Sequence, residues 1–202
     1  MIRDETRPGR ERLHDVVSYW AARRPLEPAI IHHDRGQTFD WSTFEALSIE
    51  WAKRLLALGF RNGDIFATSL PFFSEHILLE YACLRIGVIL APLDLRLRPT
   101  EVRAFLGIIR PKGYAGPPEL CELVRAECTF VEWITPLQPG GSLPDAVVSD
   151  DELRRAEDAV MAGDGALIVF TTGSTGSPKA ALLSHGNITC QNLCLGDAFE
   201  FC

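Results

Sequence analysis

The chain has 202 residues, 47% of them hydrophobic and 23% charged, with a formal net charge of −7. That balance describes a globular protein with a real core and excludes a disordered or fibrous chain. The acidic sign argues against nucleic acid or an anionic membrane surface as a partner. No apolar run reaches the roughly 18 residues of a membrane-spanning helix. The charged start from Met1 to Arg7 has no apolar stretch behind it, so a soluble, cytoplasmic protein is expected.

Residues 1–12 read as a loose, charged tail. Leu13, Val16, Val17 and Trp20 then recur at helical spacing, and Pro25 and Pro28 close that helix. Ala29–His32 and Gln37–Asp40 flank Arg35-Gly36 as a hairpin. Ser42 is the expected cap of a long amphipathic helix carrying Phe44, Leu47, Trp51, Leu55 and Leu58, with Gly59 at its C-terminal stop. A buried strand over Ile65–Leu70 comes next, then a helix over Ser74–Arg85, a strand over Val88–Leu93 and a helix over Thr100–Ile109. Lys112–Ala115 reads as a short strand, Glu119–Ala126 as a helix and Thr129–Ile134 as a strand. Strands alternating with helices in this way predict an α/β fold with a largely parallel sheet flanked by helices. Pro136–Pro144 is the one linker-like break, and Asp150–Asp158 reads as a helix with a solvated, charged face. Trp20, Trp41, Trp51 and Phe72-Phe73 read as core residues, not as an aromatic substrate pocket.

Six cysteines (Cys83, Cys121, Cys128, Cys190, Cys194, Cys202) contain no Cys-x-x-Cys pair. Cys190 and Cys194, four apart, would share a helix face with His185 nearby, but the spacing matches no common zinc pattern. Buried or incidental thiols are the expectation, with no metal ligand assigned. His14, His32, His33 and His76 show no metal-like or triad-like spacing.

The chemistry concentrates where an apolar strand, Ala166–Phe170, runs into Thr171-Thr172-Gly173-Ser174-Thr175-Gly176-Ser177-Pro178-Lys179. Those nine residues hold five hydroxyls, two glycines and a lysine, and no acid. Glycines let backbone N–H groups converge on one point, hydroxyls add donors, and lysine adds a compact positive charge: the composition of an anion site. A Ser/Thr/Gly surface turn is the bland alternative. Its position after a buried strand, where open α/β sheets place their ligand loops, favours phosphate binding. A Walker loop fails on spacing. Counted from Gly173, its second glycine would fall on Pro178, which has no N–H, and its magnesium hydroxyl on Ala180.

The run Phe170–Lys179, followed by Ala181-Leu182-Leu183 and Ser184-His185, resembles the phosphate loop of the adenylate-forming (AMP-binding) superfamily, in which a glycine is usual at the place of Ala180. Thr38–Glu45 is similar to an early segment of that superfamily. Leu84–Asp94, with the helix start Arg96–Glu101, is similar to a second signature and reads like its acyl- and aryl-CoA synthetase branch.

The resemblance implies that residues 13–202 form a partial N-terminal AMP-binding domain ending shortly after the phosphate loop. It implies ATP-dependent activation of a carboxylic acid to an acyl-adenylate, then thioester formation with CoA or a carrier-protein thiol. Thr171, Thr172, Gly173, Ser174, Thr175, Gly176 and Lys179 would hold the β- and γ-phosphates. ATP, Mg2+ and CoA are the implied cofactors and cosubstrate. The adenine, acyl, magnesium and catalytic-lysine parts of the superfamily have no match in these residues, so no catalytic residue is assigned and the 202 residues alone are expected to be inactive. A partial sheet would also leave an unpaired edge that favours aggregation or a partner. A peptide-synthetase adenylation domain and a non-catalytic ATP-binding or interaction module are the alternatives.

Overall fold

A computed structural model describes residues 12–145, 148–172 and 178–199. Residues 1–11 of the tail expected at 1–12, residues 173–177 and Cys202 therefore lie outside the described residues, as does the side chain of Thr172; the tail's last residue, Arg12, is held by bonds to Asp15 and to Glu157 O.

The chain opens with helix α1 (Leu13–Arg23) and a two-stranded antiparallel hairpin, β1 (Pro28–His32) and β2 (Gln37–Asp40). Gly36 takes φ 60° at the tight turn between them. Helix α2 (Trp41–Ala57) starts directly from β2. Its N-cap is Asp40 and not Ser42: the Asp40 carboxylate accepts from Thr43 N at 2.7 Å and from the Ser42 hydroxyl at 2.9 Å. The carboxylate wins because β2 runs extended up to Asp40, leaving Ser42 already inside the helix.

The end of α2 agrees with the expectation. Gly59 sits at φ 88°, Gly59 N donates to Leu56 O and Phe60 N to Leu55 O, and Leu55 and Phe60 are fully buried. This is the double bond and hydrophobic contact of a Schellman stop.

Next come β3 (Ile65–Thr68), α3 (Ser74–Arg85), β4 (Ile89–Pro92), α4 (Pro99–Ile109), β5 (Gly113–Gly116), α5 (Pro118–Glu127) and β6 (Trp133–Pro136). The strands at 65–70 and 88–93 are thus shorter than expected. The strand expected at Thr129–Ile134 begins later, because residues 128–131 turn (Val131 N donates to Cys128 O) before Trp133 N reaches Lys112 O. The stretch 136–144 is no plain linker: Leu137 and Leu143 are each 2% exposed and join the core. Helix α6 (Asp150–Asp158) keeps a charged, exposed face and buries Leu153, and Ser149 caps it by accepting from Glu152 N.

Strand β7 (Gly165–Thr172), β8 (Pro178–Ser184) and α7 (His185–Phe199) complete the described chain. The main sheet has the order β6-β5-β3-β4-β7-β8, parallel except for β8. One face carries a core of Phe44, Trp51, Leu55, Phe66 and Leu79 from α2, β3 and α3, joined by Phe60 and Val88 from the connecting segments. The other buries Ala67, Val102, Leu106, Tyr114 and Val124 under α4 and α5. Two covered faces explain the unbroken apolar reading of these strands.

Trp51 and Phe73 are core residues as expected, but Phe72 is 79% exposed. It lies at a bend between β3 and α3, whereas Phe73 is the extended N-cap residue of α3. At the other side of the sheet, β8 is the terminal strand, and Leu182 and Val169 remain exposed there.

Arg85, 3% exposed, ties three helices together. Its guanidinium donates to Glu45 and Ser48 of α2, the latter at 3.1 Å, and to Glu157 of α6 at 2.6 Å.

Candidate functional site

Strand β7 enters the sheet beside β4, with Leu90 level with Leu167, and buries Ala166 and Ile168. Phe170 packs edge-on against Phe105 of α4 at 4.4 Å between ring centroids. These contacts fix the strand up to Phe170. Pro92 ends β4 level with Val169, so Thr172 stands three residues, about 10 Å at 3.3 Å per residue, past that edge.

Across the hairpin, Thr171 pairs with Lys179 and Thr172 with Pro178. The segment Gly173, Ser174, Thr175, Gly176 and Ser177 lies outside the described residues; the strands on either side of it, β7 and β8, form an antiparallel pair at the end of the sheet. Thr171 and Lys179 are both exposed there. Of the seven expected phosphate-binding residues, the structure therefore brings Thr171 and Lys179 together directly and places the backbone of Thr172 beside them.

The segment leads into strand β8 and not directly into a helix. Pro178 opens β8, where a missing N–H costs least. Ala180 is exposed and pairs with Phe170, so its methyl lies on the same face of the β7–β8 pair as the Phe170 ring.

Beyond β8 the chain forms a rigid joint that the sequence did not disclose. Ser184 and Asn187 cap α7 reciprocally: Asn187 N donates to Ser184 Oγ at 3.1 Å, and Ser184 N to Asn187 Oδ1 at 3.0 Å. His185 is fully buried; its N donates to Asp164 O, and its Nδ1 accepts from Leu13 N at 3.2 Å. The ring of His14, 3% exposed, lies edge-on to it at 6.3 Å. Burial holds both imidazoles below their ordinary value, His14 down to about 4, with Asp15 opposing the shift. The hydroxyl-histidine pair at the end of β8 thus anchors the base of the hairpin to α1. Only the spacing of Ser184 and Asn187 hinted at part of this.

Other candidates resolve as structural. Lys112 donates to Gly59 O at 2.7 Å and Asp64 Oδ2 at 2.9 Å, stitching α2's end to the sheet. Cys83, Cys121 and Cys128 are buried, Cys190 and Cys194 exposed, and all five are free thiols. Among the described residues no three His, Cys, Asp or Glu side chains gather where a metal could sit. No described helix is long and apolar enough to cross a membrane.

The sheet is an open α/β sheet, and the hydroxyl- and glycine-rich stretch of sequence follows the end of one of its parallel strands, where such sheets carry their ligand loops. A family model described as AMP-binding enzyme matches residues 17–200, and the chain belongs to that family. It is 26% identical over 195 residues to a medium-chain fatty-acid–CoA ligase of Escherichia coli, covering 86% of this chain and 33% of that protein. It is 31% identical over 180 residues to a feruloyl-CoA synthase of an Amycolatopsis species, covering 86% and 35%. Among solved structures, it superposes with a TM-score of 0.75 on a putative long-chain fatty-acid CoA ligase from Rhodopseudomonas palustris, at 27% identity over 94% of this chain and 48% of that one. The chain thus spans about a third of the length of these two curated relatives.

Proposed function

We propose that residues 13–202 are the first part of an acyl-CoA synthetase's N-terminal domain, and that the β7–β8 hairpin grips the tail of ATP. The observation that carries this reading is the run Phe170–Lys179, which holds the expected donor pattern and is anchored with Thr171 against Lys179. Thr171, Thr172, Ser174 and Thr175 would donate hydroxyls to the β- and γ-phosphates. Gly173 and Gly176 would allow backbone N–H groups to turn inward, and Lys179 would neutralise charge. An oxygen of the carboxylic acid attacks the α-phosphorus, and pyrophosphate leaves as the acyl-adenylate forms. Fixing the two outer phosphates aligns the leaving group and stabilises the charge it gains. The thiol of CoA, or of a carrier protein, then takes the acyl group and releases AMP.

Magnesium, on this reading, travels with the phosphates, since the described residues gather no carboxylate cluster of their own. No residue of this chain is assigned to the bond-making step, and the 202 residues alone are expected not to turn over ATP.

The test is calorimetric titration of the chain with magnesium–ATP and with tripolyphosphate. Charge-assisted hydrogen bonds contribute about 1.5–3 kcal/mol each, so Lys179→Ala should weaken binding by roughly tenfold to a hundredfold. Absence of saturable binding, or equal affinity in the variant, would overturn the assignment. Carboxylate-dependent AMP release from the 202-residue chain would refute the expected inactivity while leaving the phosphate grip intact.

A further inference from the structure

A second polar group sits at the carboxyl edge of the sheet, under the segment between β3 and α3. His76 is 2% exposed. Its Nδ1 lies 3.1 Å from Pro71 O, and a carbonyl only accepts, so Nδ1 carries a hydrogen. In the neutral ring Nε2 then presents a lone pair. That atom faces two oxygens: Thr68 Oγ1 at 3.1 Å and Glu80 Oε1, one helical turn on, at 3.5 Å. The Thr68 hydroxyl can donate to Nε2. A carboxylate facing the same lone pair in a buried site is repulsive unless a proton stands between them.

The surroundings supply no other compensation. Among the described residues, no lysine or arginine is within ion-pair distance of Glu80. The neighbouring Glu75 takes Arg35, from the hairpin turn, at 3.6 Å and Gly140 N at 2.6 Å. Tyr81 and Cys83 are held protonated by burial, with the charge of Glu80 adding to the effect. Burial pushes Glu80 up to about 7. It also pulls His76 below its ordinary value, against the favourable Pro71 carbonyl.

We propose that His76 and Glu80 share one proton at neutral pH, and that this proton controls how firmly the segment Pro71–Phe73 is held at the edge of the sheet. With the proton present, the ring gains imidazolium character, Nδ1–H is a stronger donor, and Pro71 O is gripped. When the proton leaves to solvent, Glu80, its side chain 20% exposed, becomes a largely shielded anion with no cation beside it among the described residues, the ring reverts to neutral, and the grip on Pro71 weakens. The structure supplies its own reporter. Phe72 is 79% exposed and its ring lies 5.9 Å from that of His76, while Phe73 lies 6.1 Å away on the buried side. The segment hangs from the same edge as the β7–β8 hairpin, yet the shared proton is independent of what that hairpin binds.

The experiment is nuclear magnetic resonance on the 202-residue chain from about pH 5 to about pH 9, following the His76 ring nitrogens, the Glu80 carboxyl carbon and the Phe72 ring. All three should shift with one midpoint near 7, with Nδ1 protonated throughout. Glu80→Gln should abolish that shared midpoint and leave Phe72 indifferent to pH. A Phe72 profile unchanged by Glu80→Gln would overturn the proposal. So would separate titration of the two groups in the unmodified chain, at ordinary imidazole and carboxyl values; that second measurement decides the matter even if the variant does not fold.

Discussion

Removing Arg85 tests how the helical layer is locked. The guanidinium is buried between two carboxylates on different helices, Glu45 of α2 and Glu157 of α6, and also reaches Ser48. Glu45 in turn accepts from Ser18 of α1 at 2.7 Å, so four helices share one charge centre. Arg85→Ala deletes the cation and leaves two largely shielded anions facing the gap. Breaking a buried pair from one side costs about 3–5 kcal/mol, because the abandoned charge keeps its desolvation penalty. That is a large share of the roughly 5–15 kcal/mol by which domains are stable. A triple variant, Arg85→Met with Glu45→Gln and Glu157→Gln, removes the charges together and should recover most of the loss, since a neutral, filled site no longer holds an unpaired ion. Urea unfolding at neutral pH, followed by circular dichroism and tryptophan fluorescence, measures both. A cost below about 1 kcal/mol for Arg85→Ala, or a triple variant no more stable than the single one, would refute this view of the lock.

Three further outcomes are expected. His14 is buried neutral with its value lowered to about 4. The unfolded chain therefore binds the proton first on acidification: the stabilisation is complete above about 6.5 and falls by up to about 3 kcal/mol as pH drops toward 4. His14→Phe should flatten that slope in urea titrations at several pH values; an unchanged slope would remove His14 as its source. Gly59 has open space around its Cα but sits at φ 88°. Gly59→Ala should accordingly cost about 1 kcal/mol of conformational strain, read from the urea midpoint. Gly113 presents the opposite case, since a Cβ there would meet Phe60 Cζ at 2.6 Å and Phe66 Cδ2 at 2.8 Å. Gly113→Ala should destabilise by about 1–3 kcal/mol through overpacking, with loss of tryptophan fluorescence contrast around Trp133, whose ring is 5.6 Å from Phe66.

Much of the architecture was legible from local chemistry. Apolar periodicity marked α3 with its observed bounds, Gly59 marked the end of α2, and the alternation of strands and helices predicted the parallel sheet. The hydroxyl- and glycine-rich run after β7 could be recognised because its donors are consecutive in sequence; such a pattern needs no distant partner to be seen. Boundaries failed where two local signals competed: Asp40 and Ser42 are both good caps, and only the end of β2 selected Asp40. Phe72 and Phe73 are indistinguishable by hydrophobicity, and only the bend of the chain between β3 and α3 separates the exposed one from the buried one.

What the chain encodes without help is therefore its elements, their apolar faces and one contiguous hydroxyl- and glycine-rich run. The tertiary structure alone decided the charge centre at Arg85, the joint between His14 and His185 from opposite ends of the chain, and the His76–Glu80 pair beneath Pro71. The physical reason is the environment of a titratable group. Residue identity gives a side chain its ordinary proton affinity, but burial and the few atoms facing it determine the affinity it has in the fold, and those atoms come from strands and helices that only folding brings together.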